Sequence, residues 1–375
     1  MNENAFVVVF PSIFAKNKKT LLVNNIKKIL KINNQKISQI TRDEDLVIID
    51  ANDPVFASSA INLLFGVDKI AIARRVENKF DVIVSTIAKI GASLLLRGEQ
   101  FYVKVEGHSS GYLPKDVEVA ATSSLIEKTI QMDSKPGSEE KHDKLIYCFL
   151  TKKNAYVSIF MDYGHGGIPY NSQGDNAICC IHDEISAISC LESIKQGFDV
   201  KIIVCYDDSN LHDLVKMINR ILPRMVQAKV TLDFFEIPNK EQNTKSAQAK
   251  IKTITQILCR VAKLEKIKRI SLPLSPLAFP LWFIDENVNI ILQNDCLPWI
   301  ALAGIDDSII KTAKEIGLGK HLHKIEKLGK IKFEKTGSDA KISDIVAKSM
   351  KEKKSVTIKV GLNNIHDILD SIDKH

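Results

Sequence analysis

The sequence predicts an α+β front half followed by an α/β domain built on a mainly parallel sheet. Three observations predict it. Over the first 76 residues strand and helix patterns follow one another as β-α-β-α-β. A glycine-dense corner, Tyr163-Gly164-His165-Gly166-Gly167-Ile168-Pro169, closes the front half. From Ala177 onward, continuous apolar strands alternate with helices, as in a parallel sheet covered on both faces.

The first element is an apolar strand over 5–10, broken by Pro11. After a basic turn holding Lys16, Lys18 and Lys19, the residues Leu21, Leu22, Ile26, Ile29 and Leu30 recur at helical spacing, with lysines on the other faces. Residues 46–50 read as a second strand. Asp53-Pro54 opens a helix carrying Ala57, Ala60, Ile61 and Leu64, and 67–76 form a third strand. This order predicts a small ferredoxin-like domain over 1–76.

A second module, 77–173, opens with a helix over 80–96 whose Ile83, Ile87, Ile90 and Leu94 share one face. Residues 101–105 alternate as a strand should, a loop with Gly107, Gly111 and Pro114 follows, and a helix covers 116–131. The stretch 133–144 is rich in Ser, Gly, Pro and charge and reads as an exposed loop. Strands over 145–151 and 155–162, joined by Lys152-Lys153-Asn154, lead to the glycine corner.

The third module, 174–375, has a strand over 177–181 running directly into a helix over 184–196, then Gly197 and an apolar strand over 200–205. A helix over 211–225, a strand over 230–237, a long helix over 246–266 and a strand over 270–274 continue a Rossmann-like alternation. A strand over 356–360 and an amphipathic helix over 365–372 end it.

Composition limits the function classes. A chain of 375 residues with 45% hydrophobic content supports two or three packed domains and excludes a wholly disordered protein. Twelve lysines against five acids between 320 and 359 account for the whole net charge of +7. This segment is either a solvated face or a patch that tracks a nucleic-acid backbone. Seven cysteines lie mostly in apolar runs and form no Cys-x-x-Cys pair, so no zinc ribbon or thioredoxin motif is present. Reduced, buried thiols of a cytoplasmic protein are the expectation. No apolar run reaches membrane-spanning length, and no secretory leader is visible. His321 and His323 are two apart and do not share a helix face, so no metal site is expected.

In an α/β fold, phosphate is held where backbone N–H groups at a helix start meet flanking glycines. Here that turn reads Cys180-Ile181-His182-Asp183-Glu184-Ile185, with no glycine and two acids. Side chains on Ile181 and His182 take the space a pyrophosphate needs. Asp183 and Glu184 add negative charge, while favouring the helix itself by about 0.3–1 kcal/mol each. The turn reads as a capped helix start.

The motifs Gly164-x-Gly166-Gly167-x-Pro169 with Gln173, Phe10-Pro11-x-Ile13-x-x-Lys16 with Asn25-Ile26, and Ile305-Asp306-x-x-Ile309-Ile310-x-x-Ala313-x-x-Ile316-Gly317 together resemble the tRNA 4-thiouridine synthetases. The resemblance implies a ferredoxin-like domain, a THUMP domain and a PP-loop pyrophosphatase-like α/β domain, in that order. It implies tRNA as partner, gripped at the acceptor end by the first two domains, with no membrane association.

That family carries Ser-Gly-Gly-x-Asp-Ser at the phosphate turn. Those positions fall on Cys180, Ile181, His182, Asp183, Glu184 and Ile185, and only Glu184 keeps an acid near the family's aspartate. A later Gly-Gln-x-x-Ser-Gln segment corresponds to the apolar, proline-broken 275–283. The family's sulfur-carrying cysteine lies beyond the Ile316-Gly317 helix, yet no cysteine follows Cys296, which reads as structural, and a rhodanese domain is absent. No catalytic residue is assigned beyond the family-equivalent Glu184. No cofactor is expected, with ATP and magnesium entering only if the altered site is active.

Phosphate contacts need only positive charge in the right shape. Lys16, Lys18, Lys19, Arg74, Arg75, Lys104, Lys115, Lys152 and Lys153 are candidates, with Gly164, Gly166 and Gly167 of the corner. One departure is Lys104-Val105-Glu106-Gly107, where the family tends to have Arg-x-Lys-Arg. The reading is a tRNA-binding protein whose nucleotide and sulfur-transfer motifs are lost. The alternatives are an active ATP-dependent thiolation enzyme with an external sulfur donor, or an assembly protein with a homodimer or partner contact through 277–283.

Overall fold

The computed structural model describes residues 5–207, 209–237, 244–302, 304, 306–319, 340–361 and 363–373. The chain divides into two compact units after Gly166.

The front unit begins β1 (Ala5–Pro11), a 3-10 turn (Ile13–Lys18), α1 (Lys19–Ile32), β2 (Ile37–Asp43), β3 (Leu46–Ala51), α2 (Pro54–Ile61) and β4 (Val67–Glu77). Asp53 caps α2 by accepting the Val55 and Phe56 N–H groups, both at 3.1 Å, and Pro54 fills the first turn. β1 lies between β3 and β4, antiparallel to both, with Val8 opposite Ile48 and Ala71. The order expected from the sequence omitted β2 and is corrected to β-α-β-β-α-β. β2 sits at the sheet edge with every residue at least partly exposed, so its sequence, ISQITRD, carries little apolar periodicity.

The unit continues with α3 (Phe80–Leu94), β5 (Gln100–Gly107), α4 (Pro114–Thr129), β6 (Lys135–Pro136), β7 (Lys144–Leu150) and β8 (Asn154–Gly166). The stretch read as a loop over 133–144 thus contains a two-residue strand, β6, paired with β5. All eight strands form one sheet, β2-β3-β1-β4-β8-β7-β5-β6, so segments 1–76 and 77–173 are joined through the β4–β8 ladder. Tyr163, Gly164, His165 and Gly166 do not form a free corner but end β8. A Cβ on Gly164 would lie 2.3 Å from the Val67 carbonyl oxygen, so the close approach of β8 to β4 requires glycine there.

The two sheet faces differ. Ile83, Ile87 and Ile90 of α3 and Val117, Ala121 and Leu125 of α4 pack on Phe101, Val103, Val105, Ile146, Cys148 and Val157. The other face carries a small cluster of Val8, Leu46, Ile48, Ala71, Ala73 and Tyr156, edged by Phe6, Phe10, Phe149 and Met161, with no helical residue in it.

The second unit contains β9 (Asn176–Ile181), α5 (Glu184–Lys195), β10 (Asp199–Tyr206), α6 (Leu211–Ile221), β11 (Lys229–Glu236), α7 (Thr244–Glu265), β12 (Arg269–Ser271), α8 (Leu281–Gln293) and β13 (Leu297–Trp299). α9 (Asp307–Glu315), α10 (Ala340–Lys351), β14 (Lys354–Lys359) and α11 (Ile365–Asp373) complete it. The sheet order is β13-β12-β9-β10-β11-β14, parallel except for β14. The mainly parallel sheet is therefore the one the apolar strand runs predict. Asp233 of β11, 2% exposed, accepts from Ser355 of β14 at 2.6 Å and lies 2.9 Å from the Lys201 ammonium, pinning the antiparallel edge strand.

β12 is shorter than the sequence suggests, ending at Ser271, although the Leu272 N–H still bonds the Trp299 carbonyl of β13 at 2.8 Å. Pro280 is the residue before α8, a helix that the apolar segment 275–283 did not reveal. Of the lysine-rich segment 320–359, residues 320–339 lie outside the described residues, as does Ile305.

Candidate functional site

In open parallel sheets ligands collect beyond the carboxyl ends of the strands, where strand order reverses. β9 is flanked by β10 on one side and β12 on the other, so this reversal falls at β9. The turn leaving β9 is His182-Asp183, and both of its amides are engaged. The N–H groups of His182 and Asp183 both donate to Ser186 Oγ at 2.9 Å. The Ser186 N–H donates to Asp183 Oδ1 at 2.8 Å, and the Ser186 hydroxyl donates to the Asp183 carbonyl at 2.8 Å. This is a reciprocal cap at a helix start. Its signal in sequence was Asp183 three positions before Ser186, which the sequence reading did not use.

His182 is buried, its Nδ1 without a hydrogen-bond partner and its Nε2 3.5 Å from Asp183 Oδ2. Burial alone would lower the His182 pKa, but the Asp183 charge and the Cys180 thiol outweigh it and raise it. Burial opposes ionisation of Asp183 too, yet His182 and Ser186 hold its carboxyl below the usual range. Ile181 and Cys180 are core residues, and Ile185 packs inward on α5. Glu184 stands in the first turn of α5. At the end of β10, Asp207 is paired with Lys250 of α7 at 3.3 Å and accepts from the Ser209 N–H at 3.1 Å.

Beyond β12, Ala278, Phe279 and Phe283 are buried, Phe279 stacking on Phe283 with centroids 6.1 Å apart. Leu277 and Leu281 are 56% and 73% exposed. The segment therefore contributes both to core and to surface. All seven cysteines are free and buried, Cys296 included, and burial raises its thiol pKa.

The cationic candidates of the front unit do not form one cluster. Lys16 and Lys19 converge on Asp45, Lys16 at 3.9 Å, and Lys18 closes the same turn. Arg42 of β2, absent from the sequence-based set, joins this end by donating to Thr20 Oγ1 at 3.2 Å. Arg74 and Arg75 lie on opposite faces of β4, opposite Val157 and Tyr156 respectively, because neighbours alternate along a strand. Arg75 stacks over the Phe6 ring at 4.8 Å. Lys104 is paired with Glu139 at 2.5 Å, and Lys115 with Glu118 at 2.6 Å. Lys152 and Lys153 are exposed in the β7–β8 turn. Gly166 and Gly167 have φ of +60° and +73°, a conformation open to glycine. His165 meets the Phe65 ring edge-on at 6.2 Å.

Among the described residues no group of three or more His, Cys, Asp or Glu is arranged to hold a metal ion. Among them, too, no helix is long and apolar enough to cross a membrane.

No protein-family model matches the chain, and no curated protein matches it. Solved structures do. The crystal structure of a 4-thiouridine synthetase–RNA complex with bound ATP is 12% identical, covers 95% of this chain and 100% of its own, with a TM-score of 0.65. The crystal structure of PH1313 from Pyrococcus horikoshii Ot3 is 17% identical, covers 84% of this chain and 100% of its own, with a TM-score of 0.59. At these identities the likeness is one of fold, and it spans both units.

Proposed function

We propose that this chain is a cytoplasmic tRNA-binding protein of the THUMP-bearing 4-thiouridine synthetase type, whose α/β unit no longer binds a nucleotide or transfers sulfur. The likeness in fold to an RNA-bound synthetase over 95% of the chain supports the first half. The cap at α5 carries the second half. A phosphate loop needs backbone N–H groups aimed outward at the anion. Here three of them, on His182, Asp183 and Ser186, donate to protein oxygens. The carboxylates of Asp183 and Asp207 follow the carboxyl ends of the adjacent strands β9 and β10 and add negative charge there, that of Asp207 offset by Lys250. The residues present do not fit ATP.

Sulfur transfer needs an exposed thiol of lowered pKa. Every cysteine is buried. The α/β unit then serves as scaffold or partner surface, with Leu277 and Leu281 among its exposed apolar side chains. RNA contact falls to the front unit, through Lys16, Lys18 and Lys19, the arginines of β4, and Lys104.

Filter binding of total tRNA to the full chain across a salt series tests this reading. Affinity that falls steeply with salt, as counterion release dictates, is expected. Absence of binding at low salt, or binding indifferent to salt, would overturn it. Retained thiolation with ATP and an external sulfur donor would instead establish the enzymatic alternative.

A further inference from the structure

β9, β12 and β13 run parallel, so their amino ends share one edge of the second sheet, opposite the edge that carries the His182-Asp183 turn. At this edge lies a cavity of 380 Å³ whose lining includes Asp175, Glu265, Lys266, Lys268, Arg269 and Leu297. Gly174 and Asp175 lead into β9 on one side of it. On the other, α7 ends at Glu265 and the chain turns into β12. Lys266, at φ +55°, takes the left-handed conformation usually given to glycine at a helix end. The Ile267 N–H closes that turn on the Ala262 carbonyl at 3.0 Å, and the Leu297 N–H bonds the Lys268 carbonyl at 2.7 Å. A gap framed by strand starts and a capped helix end is preformed, and its volume is at the lower end of the range of about 300–1,000 Å³ usual for small-molecule sites.

Arg269 is the unusual member of this lining. Its side chain is only 25% exposed, yet its Nε is buried without a hydrogen-bond partner among the described residues. Its Nη2 is 3.6 Å from Asp175 Oδ2, beyond hydrogen-bond reach. The guanidinium lies over the Phe198 ring, 5.2 Å from its centroid, and buried Phe198 meets Trp299 edge-on at 5.1 Å. Stacking on a fixed ring holds the planar fork in place. Leaving a buried donor of a charged group unmet is costly, and an oxyanion gripped along that edge of the fork would satisfy it. Lys266 and Lys268, both exposed, bring two further positive charges to the same cavity. Asp175 and Glu265 are exposed as well, so three cations stand against two acids.

We infer that this cavity binds the phosphate of a small phosphate monoester, gripped along the Nε edge of Arg269 and flanked by Lys266 and Lys268, with the organic part against Leu297. Arginine meets a carboxylate or a phosphate with two parallel hydrogen bonds, and lysine meets phosphate as a point charge. One fork saturates the two oxygens of a carboxylate, and a phosphodiester likewise has only two terminal oxygens. A monoester has three, and so engages the lysines together with the fork. A cavity of this size suits a phosphate carrying a few carbons rather than a nucleotide. It belongs to the second unit alone, whereas tRNA contact is assigned to the front unit.

Phosphorus NMR titration of the full chain with glycerol 3-phosphate tests it, at a pH about two units above the second ionisation of the monoester. Saturable binding at millimolar concentration is expected. Dimethyl phosphate, followed directly, and acetate, followed by competition, should bind about tenfold more weakly, the loss of one charge-assisted contact. Arg269→Lys keeps the charge but not the fork and should weaken glycerol 3-phosphate about tenfold. Lys268→Gln, at an exposed position that leaves the fold intact, should weaken it about two- to fivefold. Absence of saturation, equal affinity for dimethyl phosphate or acetate, or wild-type affinity in either variant would each overturn the inference. Arg269→Lys should still retain tRNA on filters as the wild type does. Loss of that retention would make the cavity an RNA contact and overturn the small-molecule assignment.

Discussion

Ser186 and Asp183 satisfy one another across the first turn of α5, the Ser186 N–H donating to the Asp183 carboxylate and the Ser186 hydroxyl to the Asp183 carbonyl, each at 2.8 Å. The same hydroxyl collects the His182 and Asp183 amides. One serine thus closes the turn at which a phosphate loop would present its amides.

Ser186→Ala removes that acceptor and leaves two amides without their partner. The cost expected is about 1–2 kcal/mol, from the loss of a helix cap with buried donors. Urea unfolding should register it as a lower midpoint with unchanged slope. An unaltered midpoint would mean the cap does not form in solution.

Gly164→Ala forces a methyl to 2.3 Å from the Val67 carbonyl. The β4–β8 ladder joins the two halves of the front sheet, so this close contact cannot be relieved by moving a side chain. A loss of about 1–3 kcal/mol is expected, as for overpacking elsewhere, visible as a lowered Tm. Wild-type stability in this variant would contradict the strand register described.

Asp233 makes acid stability a property of the β11–β14 edge. Burial opposes its ionisation, yet Ser355 and Lys201 hold its carboxyl below the usual range. A depressed native pKa contributes stability that is fully present above the unfolded aspartate value of about 4. That contribution disappears as pH falls through the native value. Asp233→Asn should cost about 1–3 kcal/mol at neutral pH and flatten the acid limb of a stability-versus-pH curve. An acid limb identical to wild type would assign the effect elsewhere.

Buried thiols should react only on opening. Burial pushes the Cys259 pKa up to about 12 and raises Cys148 and Cys180 as well. An aromatic disulfide reagent at pH 8 should label fewer than one of the seven cysteines in the native chain on a minutes timescale and all seven in denaturant. Rapid labelling of Cys296 in the native protein would reopen sulfur chemistry.

Much of this arrangement was legible in residues alone. The strand runs at 177–181 and 202–205 are buried on both faces and therefore continuously apolar, so β9 and β10 stood out. The absence of glycine at Ile181 and His182 needed no structure either. What stayed hidden depended on distant pairing or on small residues. β2 is an edge strand with no apolar face to mark it. Arg74 and Arg75, adjacent in sequence, part to opposite faces of β4. Lys69 and Tyr163 face each other across a ladder spanning most of the front unit, which no local pattern records. Ser186 gave a sign, three residues after Asp183, but a serine inside an apolar helix reads as filler until its hydrogen bonds are seen.

The most direct test of the closed turn is calorimetric titration of the full chain with ATP and magnesium. The capped α5 start predicts no heat of binding up to millimolar nucleotide. Saturable binding with a micromolar Kd, abolished by a bulky substitution at Ser186, would contradict the account and return the α/β unit to nucleotide chemistry.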